Sequence, residues 1–151
     1  MNWELIFTIT NSWALLMWLF LAFAPRNETV MKSLFYAGVG LLSLAYALIT
    51  VPLMTGMIDG GSSEGSFSNL AGVQALLSSD GGATIGWIHY LAFDLFVGIW
   101  IARNADRYGF NRIIQVPFLF FTLMFGPLGL TLYLLARITK HDRVADAVIP
   151  Q

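Results

Sequence analysis

The chain has 151 residues, of which 57% are hydrophobic and 11% charged, with a formal net charge of −1. A soluble domain carries about a quarter charged residues, so this composition excludes an ordinary soluble domain, and a near-neutral balance without a basic stripe excludes a nucleic-acid-binding surface. The absence of cysteine excludes disulfides, thiolate catalysis and zinc–thiolate sites.

The charges cluster and leave apolar stretches of about 20 residues, the length a helix needs to cross hydrocarbon. The expected fold is all-α: a polytopic membrane protein of four transmembrane helices plus a short interfacial helix in the second loop, in a single domain over residues 1–151. The first span is expected at about residues 3–24, ending at Pro25-Arg26-Asn27-Glu28. Although Ala22-Phe23-Ala24 resembles a cleavage site, no Lys or Arg precedes the apolar run and the run is too long for a signal peptide. The second span is expected at about 32–55. A Gly/Ser-rich acidic loop over 59–66 reads as solvated. The segment 67–79 is too short to span, and the bias of Phe67, Leu70, Ala71, Val73 and Leu77 to one side suits an interfacial helix. Asp80-Gly81-Gly82 reads as a turn. Spans three and four are expected at about 84–102 and 113–138, followed by a short polar tail.

With four spans, Arg26, Lys32, Arg103, Arg107 and Arg112 fall on one side of the membrane and Arg137, Lys140 and Arg143 on the other. The excess of basic residues in the first and third loops favours both termini outside, while the basic tail argues the opposite.

Polar side chains inside spans are costly and call for explanation. Asp94 lies near the middle of span three among apolar neighbours. Tyr90 is four residues away on the same face, and His89 is about 140° around the helix, so His89 and Asp94 can flank one object without pairing along the helix. As catalytic candidates, Asp94 would be the proton donor and His89 the neutral acceptor; the structural alternative has Asp94 bonded to hydroxyls of other helices and His89 at the wet end. In span one, Thr8, Asn11 and Ser12 share a face, as do Tyr46 and Thr50 in span two, with Ser43 and Gly40 beneath them. In span four, Thr122, Gly126, Gly129 and Tyr133 line one side. These faces read either as ligand contacts or as interhelical packing through small residues and hydroxyls. Trp3, Trp87 and Trp100 lie near span ends, as interfacial anchors do; Phe93, Phe96, Phe118, Phe120, Phe121 and Phe125 lie deeper, facing lipid or walling a long flat ligand. Pro127 in Gly126-Pro127-Leu128-Gly129 frees the carbonyl of Leu123 and is expected to kink span four. The candidate substrate-binding set is Asn11, Tyr46, Thr50, Trp87, Tyr90, Phe93, Thr122, Phe125 and Tyr133, around a pocket bounded by Asn11, Tyr46, His89, Asp94 and Thr122. No cofactor or metal is expected.

Through the run Gly86-Trp87-Ile88-His89-Tyr90-Leu91-Ala92-Phe93-Asp94-Leu95-Phe96, the stretch Leu123-Met124-Phe125-Gly126-Pro127-Leu128-Gly129-Leu130 and the Asn11-Ser12 pair of span one, the chain resembles the abscisic-acid-deficient-four-like family. Plant members of that family are implicated in neoxanthin synthesis. The resemblance covers nearly the whole chain and implies a carotenoid or other isoprenoid ligand. It also implies a redox-neutral isomerisation that opens an epoxide to an allenic alcohol, like that of a neoxanthin synthase. Such a reaction delivers a proton to the epoxide oxygen and removes one from a neighbouring carbon. The alternative is a non-catalytic carotenoid- or lipid-binding membrane protein that supports a biosynthetic enzyme, with carotenoid-biosynthesis enzymes as its partners. Proton or ion transport lacks its usual paired charges and duplicated broken helices. Plant members carry a plastid transit peptide; none is read here, so the expected location is a lipid bilayer of bacterial inner-membrane type, as a multi-pass protein.

Overall fold

The computed structural model describes residues 1–60 and 65–140; residues 61–64 of the expected solvated loop and the tail from 141 on, with Arg143, lie outside the described residues. Among the described residues the fold is all-helical. Helix α1 is Trp3–Phe23, with the Asn2 side chain accepting from the Leu5 N–H at 3.0 Å. It stops where Pro25 forces the preceding residue into extended conformation.

Helix α2, Glu28–Met54, is capped by Asn27, which accepts from the Val30 N–H at 2.8 Å. Its segment Leu34–Gly40 is wound as a π-helix, which packs against α1. Trp13 Nε1 donates to the Ala37 carbonyl at 2.9 Å, taking up an acceptor in the widened turn. Within that turn a Cβ on Gly38 would lie 2.9 Å from Leu95 Cδ2, so glycine lets α1, α2 and the central helix converge there without displacing that side chain.

The short helix α3 is Leu70–Ser78, inside the expected interfacial segment, with Leu70 and Leu77 exposed. Helix α4 is Asp80–Arg107 and begins earlier than expected. The Asp80-Gly81-Gly82 turn is instead the first turn of this helix. Ser79 Oγ accepts from the Gly82 N–H at 3.1 Å, Asp80 places a negative charge at the helix N-terminus, and the glycines serve close approach: a Cβ on Gly81 would lie 2.6 Å from Gly60 Cα. All the other helices pack on α4, and Ile88, Leu95 and Ile101 on it are fully buried.

The expected fourth span is not one helix. It is α5, Arg112–Phe125, and α6, Pro127–Ile138, folded against each other as a hairpin. A straight helix would put residues 110 and 140 about 45 Å apart. Instead Lys140 Nζ lies 5.6 Å from the Phe110 ring, and the Phe118 and Tyr133 rings are 5.7 Å apart. Gly126 makes the turn at φ +48°, a conformation L side chains rarely adopt, and Pro127 starts the next helix at a position where its missing N–H costs nothing. Gly129 then lets the arms touch: a Cβ there would meet the backbone N and Oγ1 of Thr122 and come within 2.6 Å of the Phe118 carbonyl.

Three helices, α1, α2 and α4, are long and apolar enough to cross a membrane; α5 and α6 are each shorter. Because the hairpin returns, Arg137 and Lys140 join Arg26, Lys32, Arg103, Arg107 and Arg112 at one end of the bundle. Glu4, Asp59 and Asp80 are at the opposite end, where Trp3 packs beside Gly81. The expectation of both termini on one side is therefore corrected, for the described residues: Trp3 and Lys140 lie at opposite ends.

A polar network closes the basic end. Arg26 donates to the Ala102 carbonyl (3.2 Å), to Asp106 Oδ1 (2.9 Å) and to Gln115 Oε1. Gln115 Nε2 donates to Asp106 Oδ1 (2.8 Å) and the Phe110 carbonyl (2.9 Å). Asn104 Oδ1 accepts from Tyr133 Oη (2.6 Å) and Arg137 (3.1 Å), whose guanidinium lies 4.9 Å from the Tyr108 ring. These bonds join the loop between α1 and α2 to α4, α5 and α6, and they pair most of the buried polar groups there, which would be costly if left unpaired.

Candidate functional site

Asp94 stands near the midpoint of α4, about 20 Å of helix from either end, and the hairpin reaches up to it. A Cβ on Gly126 would lie 2.6 Å from Asp94 Oδ1 and 3.2 Å from its Cγ. The carboxyl group thus rests on the bare backbone of the hairpin tip, at the start of α6, a position that suits a negative or hydrogen-bond-accepting group. The Asp94 side chain is half-buried, and no hydrogen bond or ion pair engages it among the described residues.

Because the hairpin ends at that level, it covers α4 only from Asp94 to the basic end. Between the tip and α3, the same side of α4 is bare. Trp87, Tyr90 and Phe93 are exposed there, Tyr90 at 60% and Phe93 at 58%. By helical spacing Phe93 and Tyr90 lie on the arc between His89 and Asp94, and Trp87 lies just beyond Asp94. The result is an aromatic face about two turns tall, open to the side, with the carboxyl group and the Gly126–Pro127 turn as its floor.

His89 occupies the other edge of this arc. Its ring lies 4.6 Å from that of Phe93 and 5.7 Å from that of Tyr46 on α2. Thr50 is one turn further along α2, and its hydroxyl is buried with no hydrogen-bond partner among the described residues. His89 therefore faces α2, whereas Asp94 faces the hairpin, with Phe93 and Tyr90 between them.

Trp87 is at once part of this face and a tie to α1, and the remaining candidates are engaged elsewhere. Trp87 Nε1 donates to Asn11 Oδ1 at 3.1 Å, tying α4 to α1, and its ring lies 5.9 Å from that of Phe7. Thr122 is fully buried and donates its hydroxyl back to the Phe118 carbonyl at 2.7 Å, under Gly129. Phe125 is exposed and stacks on Phe121 at 6.3 Å. Tyr133 belongs to the basic-end network, some ten residues of α4 away from Asp94. Asn11, Tyr46, His89, Asp94 and Thr122 thus divide among the α1, α2 and hairpin sides of α4 and do not surround one pocket. Thr8 and Ser12 line a separate, almost wholly apolar groove of about 580 Å³ between α1 and α2.

Sequence reasoning did not find Gly126 as part of the Asp94 site, nor Arg26, Asn104 and Gln115 as structural polar residues. A glycine just before a proline is a helix stop followed by a helix start, and that signal was present. The partners of Arg26 lie some 76 to 89 residues away along the chain, beyond the reach of local spacing.

Among the described residues no group of three or more His, Cys, Asp or Glu is arranged to hold a metal ion. A model of the family described as ABA DEFICIENT 4-like matches residues 5–133. No curated protein and no solved structure matches the chain.

Proposed function

Since this chain belongs to the ABA DEFICIENT 4-like family, we propose that it acts in membranes on a carotenoid or related isoprenoid, opening an epoxide to an allenic alcohol by proton transfer. The observation that carries this reading is the Asp94 carboxyl, unpartnered among the described residues at mid-helix, at the foot of the exposed Trp87–Tyr90–Phe93 face. A rigid polyene lies flat on aromatic rings without losing conformational freedom, and an end-group oxygen at the floor meets the carboxyl.

The chemistry is balanced without a cofactor. Asp94 gives its proton to the epoxide oxygen as the ring C–O bond breaks. The imidazole of His89 takes a proton from the neighbouring chain carbon as the allene forms. A proton passing back from His89 to Asp94 restores the pair, so the product is an isomer of the substrate. The two groups are five residues apart, about 7.5 Å of helix rise, on either side of Tyr90 and Phe93, so the substrate lies across those rings.

A second reading, a non-catalytic carotenoid or lipid binder, is favoured by that same separation: His89 and Asp94 face different helices, and the face between them is open. Expression in cells that accumulate epoxycarotenoids, followed by pigment extraction and chromatography, separates the two. The enzyme reading expects a new pigment of unchanged mass. Pigment that co-purifies unaltered from every pool favours the binder, and neither product nor bound pigment would end the carotenoid assignment.

A further inference from the structure

At the basic end, Arg26 is held by Asp106 and Gln115, and Lys32 by Glu28 at 2.7 Å. Those two acids are thereby used. Arg103 and Arg107, one turn apart on α4, have no acidic or hydrogen-bonding partner among the described residues. Both line two adjoining cavities. One, of about 260 Å³, is polar and is completed by Arg26, Glu28, Lys32 and Asp106. The other, of about 240 Å³, is walled by Phe35, Phe96, Ile99 and Trp100, and Phe35 and Phe96 pack ring to ring at 6.2 Å.

We propose that this junction is a binding site for the phosphate headgroup of an anionic membrane lipid, with the phosphate on Arg103 and Arg107 and an acyl chain along the Phe35–Phe96–Trp100 wall. Arginine at an interface often only snorkels to water. Here two uncompensated guanidinium groups share one pair of cavities, and the second cavity continues from the charges onto an exposed apolar flank of α2 and α4. A free phosphate would use only the first cavity; a lipid uses both. Basic pockets between membrane helices take phosphate-bearing headgroups in this way. This site is on the α2 flank at the basic end and is independent of the Asp94 face.

The test uses the full chain in nanodiscs of phosphatidylcholine doped with phosphatidylglycerol, with retained lipid read by native mass spectrometry. Three variants accompany wild type: Arg103→Gln with Arg107→Gln, Phe35→Ala with Phe96→Ala, and Arg112→Gln. Arg112 is a basic residue of the same end that lines neither cavity. Each basic residue in contact with the headgroup adds about fivefold to binding of an anionic lipid, so the double arginine variant is expected to lose about 30-fold in preference for phosphatidylglycerol. The aromatic variant should weaken retention of the lipid, and Arg112→Gln should stay near wild type, with both arginine variants melting as wild type does. Equal loss in Arg112→Gln, or no preference in wild type, overturns the proposal. So does displacement of the lipid by millimolar inorganic phosphate with the aromatic variant unaffected, since that would mark a free-anion site.

Discussion

A carboxyl group in the middle of an apolar helix attracts attention in the sequence, because burying it there without a purpose is expensive. Asp94 stands out in the sequence for that reason, and in the structure its carboxyl lies against Gly126. Thr122 and Tyr133 were singled out by spacing alone. Spacing tells which residues share a face but not which helix that face meets, and both turn their hydroxyls to structural partners. Their contrasting surroundings give contrasting expectations. Asp94→Asn and His89→Gln each keep shape and hydrogen bonding, so the protein should remain folded while formation of the new pigment falls by roughly 10²–10⁴-fold, the usual cost of losing a general acid or base. Chromatography of extracts at matched protein levels checks this, and full product from either variant would remove that residue from the mechanism. Tyr133→Phe should do the reverse. It leaves pigment chemistry intact and lowers stability by about 1 kcal/mol, the net worth of a typical hydrogen bond, because Asn104 keeps Arg137 as a partner; a thermal melt in detergent reads the loss.

Among the elements, α1, α2 and α4 were readable from apolar runs of crossing length, since such runs have few other uses. The last element was misread because 113–138 also has the length of a span, and a proline in a membrane helix commonly only bends it. What makes Gly126-Pro127-Leu128-Gly129 a reversal is the combination: a left-handed glycine to turn, a proline to begin again, and a second glycine to let the arms meet. Substituting the last of these tests the packing directly. Gly129→Ala places a methyl group against the Thr122 and Phe118 backbone, and overpacking of this kind costs about 1–3 kcal/mol. A lowered melting temperature together with easier proteolysis between α5 and α6 is the expected result. Gly126→Ala should be at least as damaging, because it adds a strained φ of +48° to a push on the Asp94 carboxyl, and it should reduce pigment conversion where Gly129→Ala reduces stability first.

For the molecule as a whole, charge placement becomes coherent only once the chain turns back. Four spans divide the basic residues between the two sides and set the charge rule against itself. With α5 and α6 as a hairpin, every described Lys and Arg lies at one end and Glu4, Asp59 and Asp80 at the other, which is the asymmetry that fixes orientation in a bilayer. The same reversal leaves one side of the upper half of α4 bare and makes Gly126 the floor beneath Asp94, so the site depends on it. The native chain has no cysteine, which permits single-cysteine labelling with a membrane-impermeant maleimide on sealed membranes. Asn27→Cys and Thr139→Cys report the basic end and Met57→Cys the opposite one, all at exposed positions. The account predicts that positions 27 and 139 react from the same side and position 57 from the other. Labelling of 139 together with 57 would make residues 113–138 a crossing helix, and would remove both the hairpin and the site built upon it.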